Sequence, residues 1–503
     1  MRTKKAFYNT FTGIVYQGIA VVCAFILPRL ILSTFGSSYN GVVSSINQFL
    51  SWISVLSAGI GGVTRAALYK PLSEKNNSKI SSIMKATDIF MKKIAVIFVI
   101  ILFLFGMFYP LIVRKEFEFF FVFTLILVLG ISTFSQYYFG ITYQTLLEAD
   151  QRQYIYTIVR IITTIIGTAA AAILIIAGFE IRFVYLASSI VYACNPLFLN
   201  IYVKRYYKLD RKAVPDYTTV KQRWNAFAQE LAIMINSNTD IVVLTIFCDV
   251  KIVSVYTVYN MIINGVKQML QTFTTGVGAA FGNMIAQGKK NDYLDDTLKV
   301  FEFVVINVTT ILFSITAMTI VPFVSVYIRG ITDVNYLRWG FGYSITLAAM
   351  FNCYRIPYQT IVYAAGKFKE TRNGSIVEAV INIVLSIILV IRFGLIGVVI
   401  GTLAAAIFRT CQYAVYLSKN IIIRSQFIFI RNITVSLGIC FLSVMLFNRY
   451  FLVEVSSYIE WFLLAVKAGF IVTIPMISVD LLLYHKQLKE FLIKLRSVID
   501  RNS

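Results

Sequence analysis

Apolar runs of membrane-spanning length recur along the whole chain of 503 residues. A helix needs roughly 20 predominantly apolar residues to cross the hydrocarbon core of a bilayer, and "IAVIFVIILFLFGMFYPLIV" at 94–113 is a clear example. Polar connectors separate the runs, so the chain is predicted to cross the membrane about fourteen times. The predicted spans are 11–34, 40–64, 89–113, 118–147, 155–178, 181–203, 224–247, 252–284, 298–328, 338–365, 374–392, 394–418, 426–447 and 458–484.

The composition agrees with a bilayer as the main solvent of this chain. Hydrophobic residues make up 58% of the sequence and charged residues 14%, against about 25% charged residues in an ordinary soluble domain. A soluble protein could not hide that much apolar surface. The sequence therefore predicts an all-α integral membrane protein.

Few residues are suited to catalysis or to metal binding. The six cysteines are scattered through apolar runs without a CxxC pair, and His485 is the only histidine. Neither a disulfide framework nor a zinc site is indicated. The segment "GVGAAFG" at 276–282 lacks both the preceding strand and the following Lys-Ser/Thr of a phosphate-binding loop. We therefore predict no catalytic residue, no metal and no cofactor.

The net charge of +22 is explained mainly by orientation in the membrane. Most of the 46 lysines and arginines fall in the termini and in the even-numbered connectors, such as "KNNSKISSIMK" at 75–85 and "KRYYKLDRK" at 204–212. By the positive-inside rule these segments face the cytoplasm, so both termini are predicted to be cytoplasmic. Basic segments of this kind border anionic lipid, and no nucleic-acid partner is predicted.

The two ends of the chain are predicted to be helical. The first apolar run, 11–34, is too long for a signal peptide and lacks a small-residue cleavage site, so we interpret it as a retained first helix. The C-terminal segment "HKQLKEFLIKLRSVIDR" has the pattern of an amphipathic helix at the cytoplasmic interface. Its apolar face would consist of Leu488, Phe491, Leu492, Leu495 and Ile499.

An internal duplication is indicated by the tripeptide Tyr-Gln-Thr, which occurs at 143–145 and again at 358–360. Both copies end a long apolar run and lead into a short polar stretch. At nearly the same spacing, Gly178 matches Gly394 in the short turns before spans six and twelve. The order of such matches and the similar connector lengths indicate a repeated unit of six spans.

Six spans return the chain to its starting side, so the two halves share one topology and are related by an axis along the membrane normal. Paired bundles of this kind are the usual architecture for alternating access, with the binding site near the midplane between them. We predict a pseudo-symmetric six-helix lobe at 1–203, a cytoplasmic linker at 204–223, a second lobe at 224–418, two additional spans at 419–484 and an amphipathic tail at 485–503.

Cations inside the predicted spans are candidate residues of a transport cavity, because charge within a bilayer is costly and usually faces a cavity or a partner. The candidates are Arg29, Lys267, Arg355 and, near the cytoplasmic end of its span, Arg65. Pro28 before Arg29 removes a backbone donor and so provides a place for polar contacts. Each cation also has a simpler interpretation, which is snorkelling to the interface or a local ion pair.

Acids inside the predicted spans are fewer. Glu230 and Asp240 lie in span seven, and Glu378 lies in span eleven. Such a carboxylate can balance a cation or carry a coupling proton, and plain ion pairing is the simpler of the two roles.

Three stretches resemble the MOP flippase superfamily. They are "TFTGIVYQGIAVVCAFILPRLILSTFG" at 10–36, "YNGVVSSINQFLSWISVLSAGI" at 39–60 and "YQTLLEADQRQYIYTIVR" at 143–160. With six-plus-six spans and two more, the whole pattern is most similar to the polysaccharide flippases of the Wzx type, which serve O-antigen, capsule and exopolysaccharide synthesis. The resemblance implies a MATE-like fold of two helical bundles.

The resemblance also implies a function. A protein of this type moves an oligosaccharide linked to polyprenyl diphosphate from the cytoplasmic to the outer leaflet of the bacterial cell membrane. Its partners would be that lipid-linked oligosaccharide, membrane lipids and polysaccharide assembly proteins. The carrier is anionic, in agreement with surplus cations in the cavity.

Three alternatives stay open at this stage. A multidrug or toxin antiporter of the same superfamily would favour cavity acids and usually has twelve spans. A flippase for the peptidoglycan lipid precursor also has fourteen spans. A membrane glycosyltransferase or polymerase, which belongs to another class, would need acidic catalytic clusters and large loops, whereas the longest outer connectors have only about ten residues.

Overall fold

The protein is described from a computed structural model, in which the regular structure of the described residues is entirely helical. The chain divides into two compact units, Met1–Ser254 and Val255–Ser503. The structure describes residues 2–54, 60–210, 212–217, 239–274, 277–287, 290–490 and 493.

The described part of the first unit contains eight helices before residue 207 and a further helical segment at 239–247. One turn of π-helix, Gln136–Gly140, joins α5 to α6 without a break in the chain direction. The eight helices are α1 Arg2–Phe35, α2 Ser37–Ser54, α3 Ile60–Ser73, α4 Asn77–Ile112, α5 Phe119–Ser135, α6 Ile141–Ala149, α7 Gln153–Ile176 and α8 Ile181–Tyr206.

The second unit begins inside a helix that starts at Val250, so this helix belongs to both units. The helices from this point on are α9 Val250–Thr274, α10 Val277–Ala286, α11 Asn291–Tyr327, α12 Trp339–Tyr354, α13 Ile356–Ala364, α14 Phe368–Phe393, α15 Leu395–Asn420, α16 Phe427–Tyr450 and α17 Tyr458–Leu483.

The surface of these helices is suited to lipid. Ten helices in the described part of the chain are long and apolar enough to cross a membrane. Large apolar side chains point outward along them; for example, Phe108 is 66% exposed and Ile176 is 78% exposed. The predicted all-α membrane fold is confirmed, and the chain is a multi-pass membrane protein.

Among the spans that are described throughout, 338–365 contains two shorter helices, α12 and α13. The break lies at Arg355, and Pro357 follows in the first turn of α13. Proline has no N–H to donate, and at the start of a helix that donor has no partner in any case. In spans 40–64 and 252–284, residues 55–59 and 275–276 lie outside the described residues. Of predicted span seven, only 239–247 lies within the described residues.

The glycines matched between the two halves are both in turns that require them. Gly178 follows α7 with φ of 79°, and Gly394 separates α14 from α15 with φ of 54°. A positive φ is strained for residues with a Cβ atom, whereas glycine adopts it readily. The sequence match at these positions therefore reflects the same backbone requirement twice.

Helix α2 packs closely against the last residues of the first unit. Ser45 Oγ lies 2.6 Å from Thr245 Oγ1, and Asn40 donates to Ser254 Oγ at 2.7 Å. A Cβ atom on Gly41 would overlap the carbonyl oxygen of Val250. The compact unit thus extends to Ser254, beyond the lobe of 1–203, and the lobe boundaries stay a prediction.

Replacing Gly41 by alanine is expected to destabilise this contact, because the added methyl group meets backbone and not a movable side chain. Overpacking of this kind costs about 1–3 kcal/mol, which a thermal unfolding curve of the purified protein would detect. Gly18→Ala is the matched control, since nothing lies within 4 Å of a Cβ atom there. Equal unfolding temperatures for the two variants would contradict the close approach.

The C-terminal tail is described only in part. Residues 485–490 are helical and include Leu488. The other residues of the predicted apolar face, Phe491, Leu492, Leu495 and Ile499, lie outside the described residues.

Candidate functional site

A cavity of about 910 Å³ opens among α1, α2, α5, α7 and α8 of the first unit. Most of the residues in its wall are polar and uncharged. Hydroxyl and amide groups come from Asn40, Ser44, Asn47, Ser132, Thr133, Gln136, Gln144, Thr163, Thr164, Thr168 and Asn195, and phenols from Tyr16, Tyr137, Tyr156, Tyr185 and Tyr192.

Arg160 is the only charged residue among those described in the wall of this cavity. Its guanidinium lies over the ring of Tyr16, 4.4 Å from the centroid, and 5.9 Å from the centroid of Tyr156. The guanidinium is exposed to the cavity, and cation–π contacts contribute about 0.5–2 kcal/mol. The aromatic rings therefore hold a positive charge at the cavity surface without neutralising it.

The spacing of residues in α7 explains the polar wall. Tyr156, Arg160, Thr163, Thr164 and Thr168 recur every three to four residues, which places them on one face of a helix. The remaining faces of α7 carry isoleucines that are largely exposed, such as Ile162 and Ile166, and these are suited to lipid. One helix thus separates the cavity from the membrane.

The π-helical turn creates a polar connection at the cavity wall. Gln136 Nε2 donates to Gln144 Oε1 at 2.9 Å. In an unbroken α-helix two residues eight positions apart are separated by about 12 Å along the axis. π-Turns of this kind are frequent at functional sites. Here the irregular turn allows two cavity-lining glutamines to meet.

The connection continues from the cavity to the predicted cytoplasmic end. Gln144 Nε2 donates to Glu148 Oε1 at 2.8 Å, and Arg65 forms an ion pair with Glu148 Oε2 at 2.7 Å. Arg65, one of the four predicted cavity cations, is therefore joined to the cavity wall through Glu148 and two glutamines.

Gly140 is required for this geometry. A Cβ atom there would lie 2.7 Å from Gln136 Oε1 and 2.9 Å from Cβ of Pro196. Gly140→Ala is expected to displace Gln136 from Gln144 and to push α8 away, because the proline ring cannot move aside. The unfolding temperature of the purified protein should therefore fall, whereas Gly62→Ala, with nothing within 4 Å of its Cβ, should retain the parent value. Equal unfolding temperatures for the two variants would contradict the close packing around Gly140.

The two Tyr-Gln-Thr copies occupy similar positions in their units. Each tripeptide starts at the third residue of a nine-residue helix, α6 or α13, that follows an irregularity in a longer span. Gln144 lines the cavity of the first unit. In the second unit Gln359 Nε2 donates to the hydroxyl of Tyr363 at 3.2 Å.

A buried charge cluster in the second unit joins two of the predicted residues. Arg355 forms an ion pair with Glu378 Oε1 at 2.8 Å, and Arg409 Nε lies 3.3 Å from Glu378 Oε2. Glu378 is 5% exposed and Arg409 2% exposed at their side chains. Two guanidiniums share one carboxylate, so Glu378 balances charge and the cluster has a surplus of one positive charge.

Polar groups surround the remaining donors of Arg409. Its guanidinium donates to the carbonyl of Thr371 at 3.0 Å, to Ser375 Oγ at 2.6 Å and to the hydroxyl of Tyr413 at 2.6 Å, and also contacts Gln412. Buried charges are tolerated when they are paired and hydrogen-bonded in this way.

The other predicted residues have different surroundings. Arg29 is half-buried in α1 and is not among the described lining residues of the cavity, although its neighbour Pro28 is. Lys267 is half-buried in α9 and interacts electrostatically, as Arg355 does, with the thiol of Cys353. Asp240 is half-buried in the segment 239–247, and Glu230 lies outside the described residues.

Three functional candidates were missed from the sequence. They are Arg160 and Arg409, which lie within the predicted spans 155–178 and 394–418, and Gln136, which lies within the predicted span 118–147. The polar stripe of α7 is a usable signal for Arg160. No sequence pattern indicates the π-turn, although Gly140 at its end leaves room for Pro196 of α8.

Comparison with solved structures gives related folds at low sequence identity. The lipid II flippase MurJ, in an inward closed conformation, superposes with a TM-score of 0.69 and 13% identity, covering 94% of this chain and 99% of that one. An inward-facing multidrug resistance MATE transporter of the MOP superfamily gives a TM-score of 0.62 and 13% identity, with 79% and 94% covered. A Vibrio cholerae MATE transporter gives a TM-score of 0.55 and 12% identity, covering 84% of this chain and 99% of that one.

Sequence comparisons add no closer relative: no family model matches the chain, and no curated protein matches it. At 12–13% identity the structural matches establish the fold alone. The MurJ match extends over nearly the whole chain. This chain therefore has the fold of the MOP superfamily transporters.

Proposed function

We propose that this protein is a flippase that moves a polyprenyl-diphosphate-linked oligosaccharide from the cytoplasmic to the outer leaflet by alternating access. It would act without enzymatic chemistry in the bacterial cell membrane, with both termini cytoplasmic, for cell-surface polysaccharide synthesis. One observation carries the proposal. The cavity of the first unit is lined by hydroxyls, amides, phenols and Arg160, with no carboxylate among its described residues.

Such a wall is suited to a sugar. Hydroxyl and amide groups both donate and accept hydrogen bonds, as a glycan with many hydroxyls requires. Asn195 is 93% buried, and its Oδ1 has no hydrogen-bond partner in the described part of the chain. A substrate hydroxyl would supply the missing donor, since a buried acceptor without a partner is costly.

The single cation is suited to the diphosphate. A guanidinium binds phosphate oxygens through two parallel N–H donors, and these bonds are stronger than those between neutral groups. Arg160 already has its ring contacts with Tyr16 and Tyr156, so its position is fixed before a phosphate arrives. In the second unit the surplus charge of the Arg355–Glu378–Arg409 cluster has the same sign.

The multidrug antiporter is a weaker proposal. A cationic drug would need a carboxylate in the cavity wall, and Glu378 is enclosed between Arg355 and Arg409. The peptidoglycan lipid precursor is a closer alternative, because the MurJ match covers 94% of this chain. Both lipid substrates would use the same phosphate contacts, and only their glycans differ.

The substrate can be identified in cells depleted of this protein. Lipid extracts would be analysed by mass spectrometry, and the leaflet of each intermediate would be assigned with an enzyme that cannot enter the cell. We expect a polyprenyl-diphosphate oligosaccharide to accumulate on the cytoplasmic side while the surface polymer is lost, and its mass gives the glycan. Accumulation of the peptidoglycan precursor would replace our substrate by the alternative one. Normal intermediates together with new sensitivity to cationic drugs would overturn the flippase proposal.

A further inference from the structure

A second cavity, of about 210 Å³, lies within the second unit among α11, α16 and α17. Apolar side chains such as Ile306, Val435 and Met476 form most of its wall. One end is polar and is built by Arg431 near the start of α16 and Asp480 in the last turn of α17. These helix ends are predicted to lie at the cytoplasmic surface of the membrane.

Asp480 is an incompletely satisfied acid. The residue is only 6% exposed, and its Oδ2 accepts a hydrogen bond from Asn307 Nδ2 at 2.6 Å. Its Oδ1 is buried and has no hydrogen-bond partner in the described part of the chain. A buried carboxylate oxygen of this kind requires a donor, because leaving it unpaired is costly.

Arg431 is an incompletely satisfied base in the same wall. Its guanidinium lies 5.0 Å from the ring centroid of Tyr484, and one amino group donates to Asn432 Oδ1 at 3.4 Å. The Nε atom is buried without a partner among the described residues. No ion pair joins Arg431 to Asp480 within 4.0 Å in the described chain, so each of these two wall residues keeps one buried polar atom without a partner there.

The other charged residues of the wall are already paired. Lys299 forms an ion pair with Asp295 at 2.8 Å, and Glu302 accepts two hydrogen bonds from Arg424. A ligand that satisfies this end therefore needs a hydrogen-bond donor for Asp480 and an anionic oxygen for Arg431. A zwitterion with an ammonium and a phosphate group meets both requirements and also matches the charge of each side chain.

The surroundings of the cavity are those of a lipid-facing surface. Phe427 and Ile430 on α16 are 67% and 56% exposed, and Leu482 on α17 is 78% exposed. A headgroup in the polar end would leave its acyl chains beside these side chains. We infer that the cavity binds the headgroup of an amine-bearing zwitterionic phospholipid of the phosphoethanolamine type. Asp480 accepts from the ammonium and Arg431 donates to the phosphate.

Other ligands with partly similar chemistry match less well. Inorganic phosphate and a polyprenyl phosphate provide an anion but no cation for Asp480. A phosphocholine headgroup has a cation without an N–H group, and a phosphoglycerol headgroup has hydroxyl donors but no cation. The inference does not depend on the identity of the transported substrate.

The inference is tested by native mass spectrometry of the delipidated full-length protein. The probes are short-chain phosphatidylethanolamine, phosphatidylcholine, phosphatidylglycerol, a polyprenyl phosphate and inorganic phosphate, each titrated separately. We expect one site that prefers phosphatidylethanolamine, with affinity reduced roughly tenfold or more by Asp480→Asn or by Arg431→Gln. Phosphatidylethanolamine should raise the unfolding temperature of the parent protein and not that of either variant.

Lys467→Gln is the matched control, because Lys467 is an exposed charge on α17 outside the cavity wall. The Lys467→Gln variant should bind phosphatidylethanolamine with the affinity of the parent protein. Equal affinity for the ethanolamine and choline lipids would overturn the inference, as would unchanged ethanolamine-lipid binding in the Asp480 or Arg431 variant. Stronger binding of polyprenyl phosphate, abolished by Arg431→Gln, would reassign the cavity to the carrier lipid. Two separate variants keep the test valid if one of them fails to fold.

Discussion

Arg160→Gln is expected to abolish most of the transport while the protein remains folded. The substitution removes the only charge among the described residues of the 910 Å³ cavity but keeps a polar, though shorter, side chain. A hydrogen bond to a charged group contributes about 1.5–3 kcal/mol, so substrate affinity should fall roughly 10- to 100-fold. The measurement is the initial rate of lipid-linked oligosaccharide transfer in proteoliposomes that contain equal amounts of protein.

Two further variants identify the cause of that loss. Arg160→Lys keeps the charge but not the planar group that stacks on Tyr16, and an intermediate rate is expected. Arg392→Gln removes an exposed arginine of α14 outside the cavity, and an unchanged rate is expected. If Arg160→Gln transports as fast as Arg392→Gln, the cavity cation has no part in substrate binding.

Glu378→Gln is expected to have the largest effect on stability. It leaves the guanidinium of Arg409, which is 2% exposed, without its buried carboxylate. Removal of one partner of a buried ion pair costs about 3–5 kcal/mol, a large part of the stability of a typical protein. The expected result is a marked decrease in unfolding temperature and in the yield of monodisperse protein.

A double variant should recover part of the stability that Glu378→Gln loses. In the double variant Glu378→Leu with Arg409→Met, no buried charge of this pair remains, and replacement of buried pairs by apolar residues is often neutral or stabilising. We therefore expect the double variant to be more stable than Glu378→Gln. Glu74→Gln is the control. Glu74 and Lys70 form an ion pair at 3.9 Å with side chains that are 51% and 83% exposed, and such pairs contribute about 0–1 kcal/mol. Equal decreases in unfolding temperature for Glu74→Gln and Glu378→Gln would contradict the importance of burial.

Much of the fold is predictable because lipid imposes a simple pattern. Helices such as α4 and α17 are long continuous apolar runs, so length and hydropathy are enough to locate them. Breaks are harder to predict. Pro357 indicates the break before α13, whereas the π-turn at Gln136–Gly140 has no sequence pattern of its own.

The candidate site is only partly predictable, since it depends on contacts between distant helices. Arg355 and Glu378 were both selected as intramembrane charges, but their pairing requires the packing of the α12–α13 junction against α14. Their shared partner Arg409 comes from a third helix, α15. Arg160 lies in a stripe of polar residues along α7. Such a stripe is a stronger indication of a cavity wall than an isolated charge within a span.

The most direct test of the central claim is transfer of a purified polyprenyl-diphosphate oligosaccharide between leaflets of proteoliposomes. The substrate is loaded in both leaflets, and its exposure is measured with a glycosidase added outside the vesicles. We predict that the parent protein renders nearly all of the substrate accessible, while Arg160→Gln vesicles resemble protein-free ones. If the parent protein leaves the inner-leaflet pool inaccessible under all applied ion gradients, the flippase assignment is contradicted.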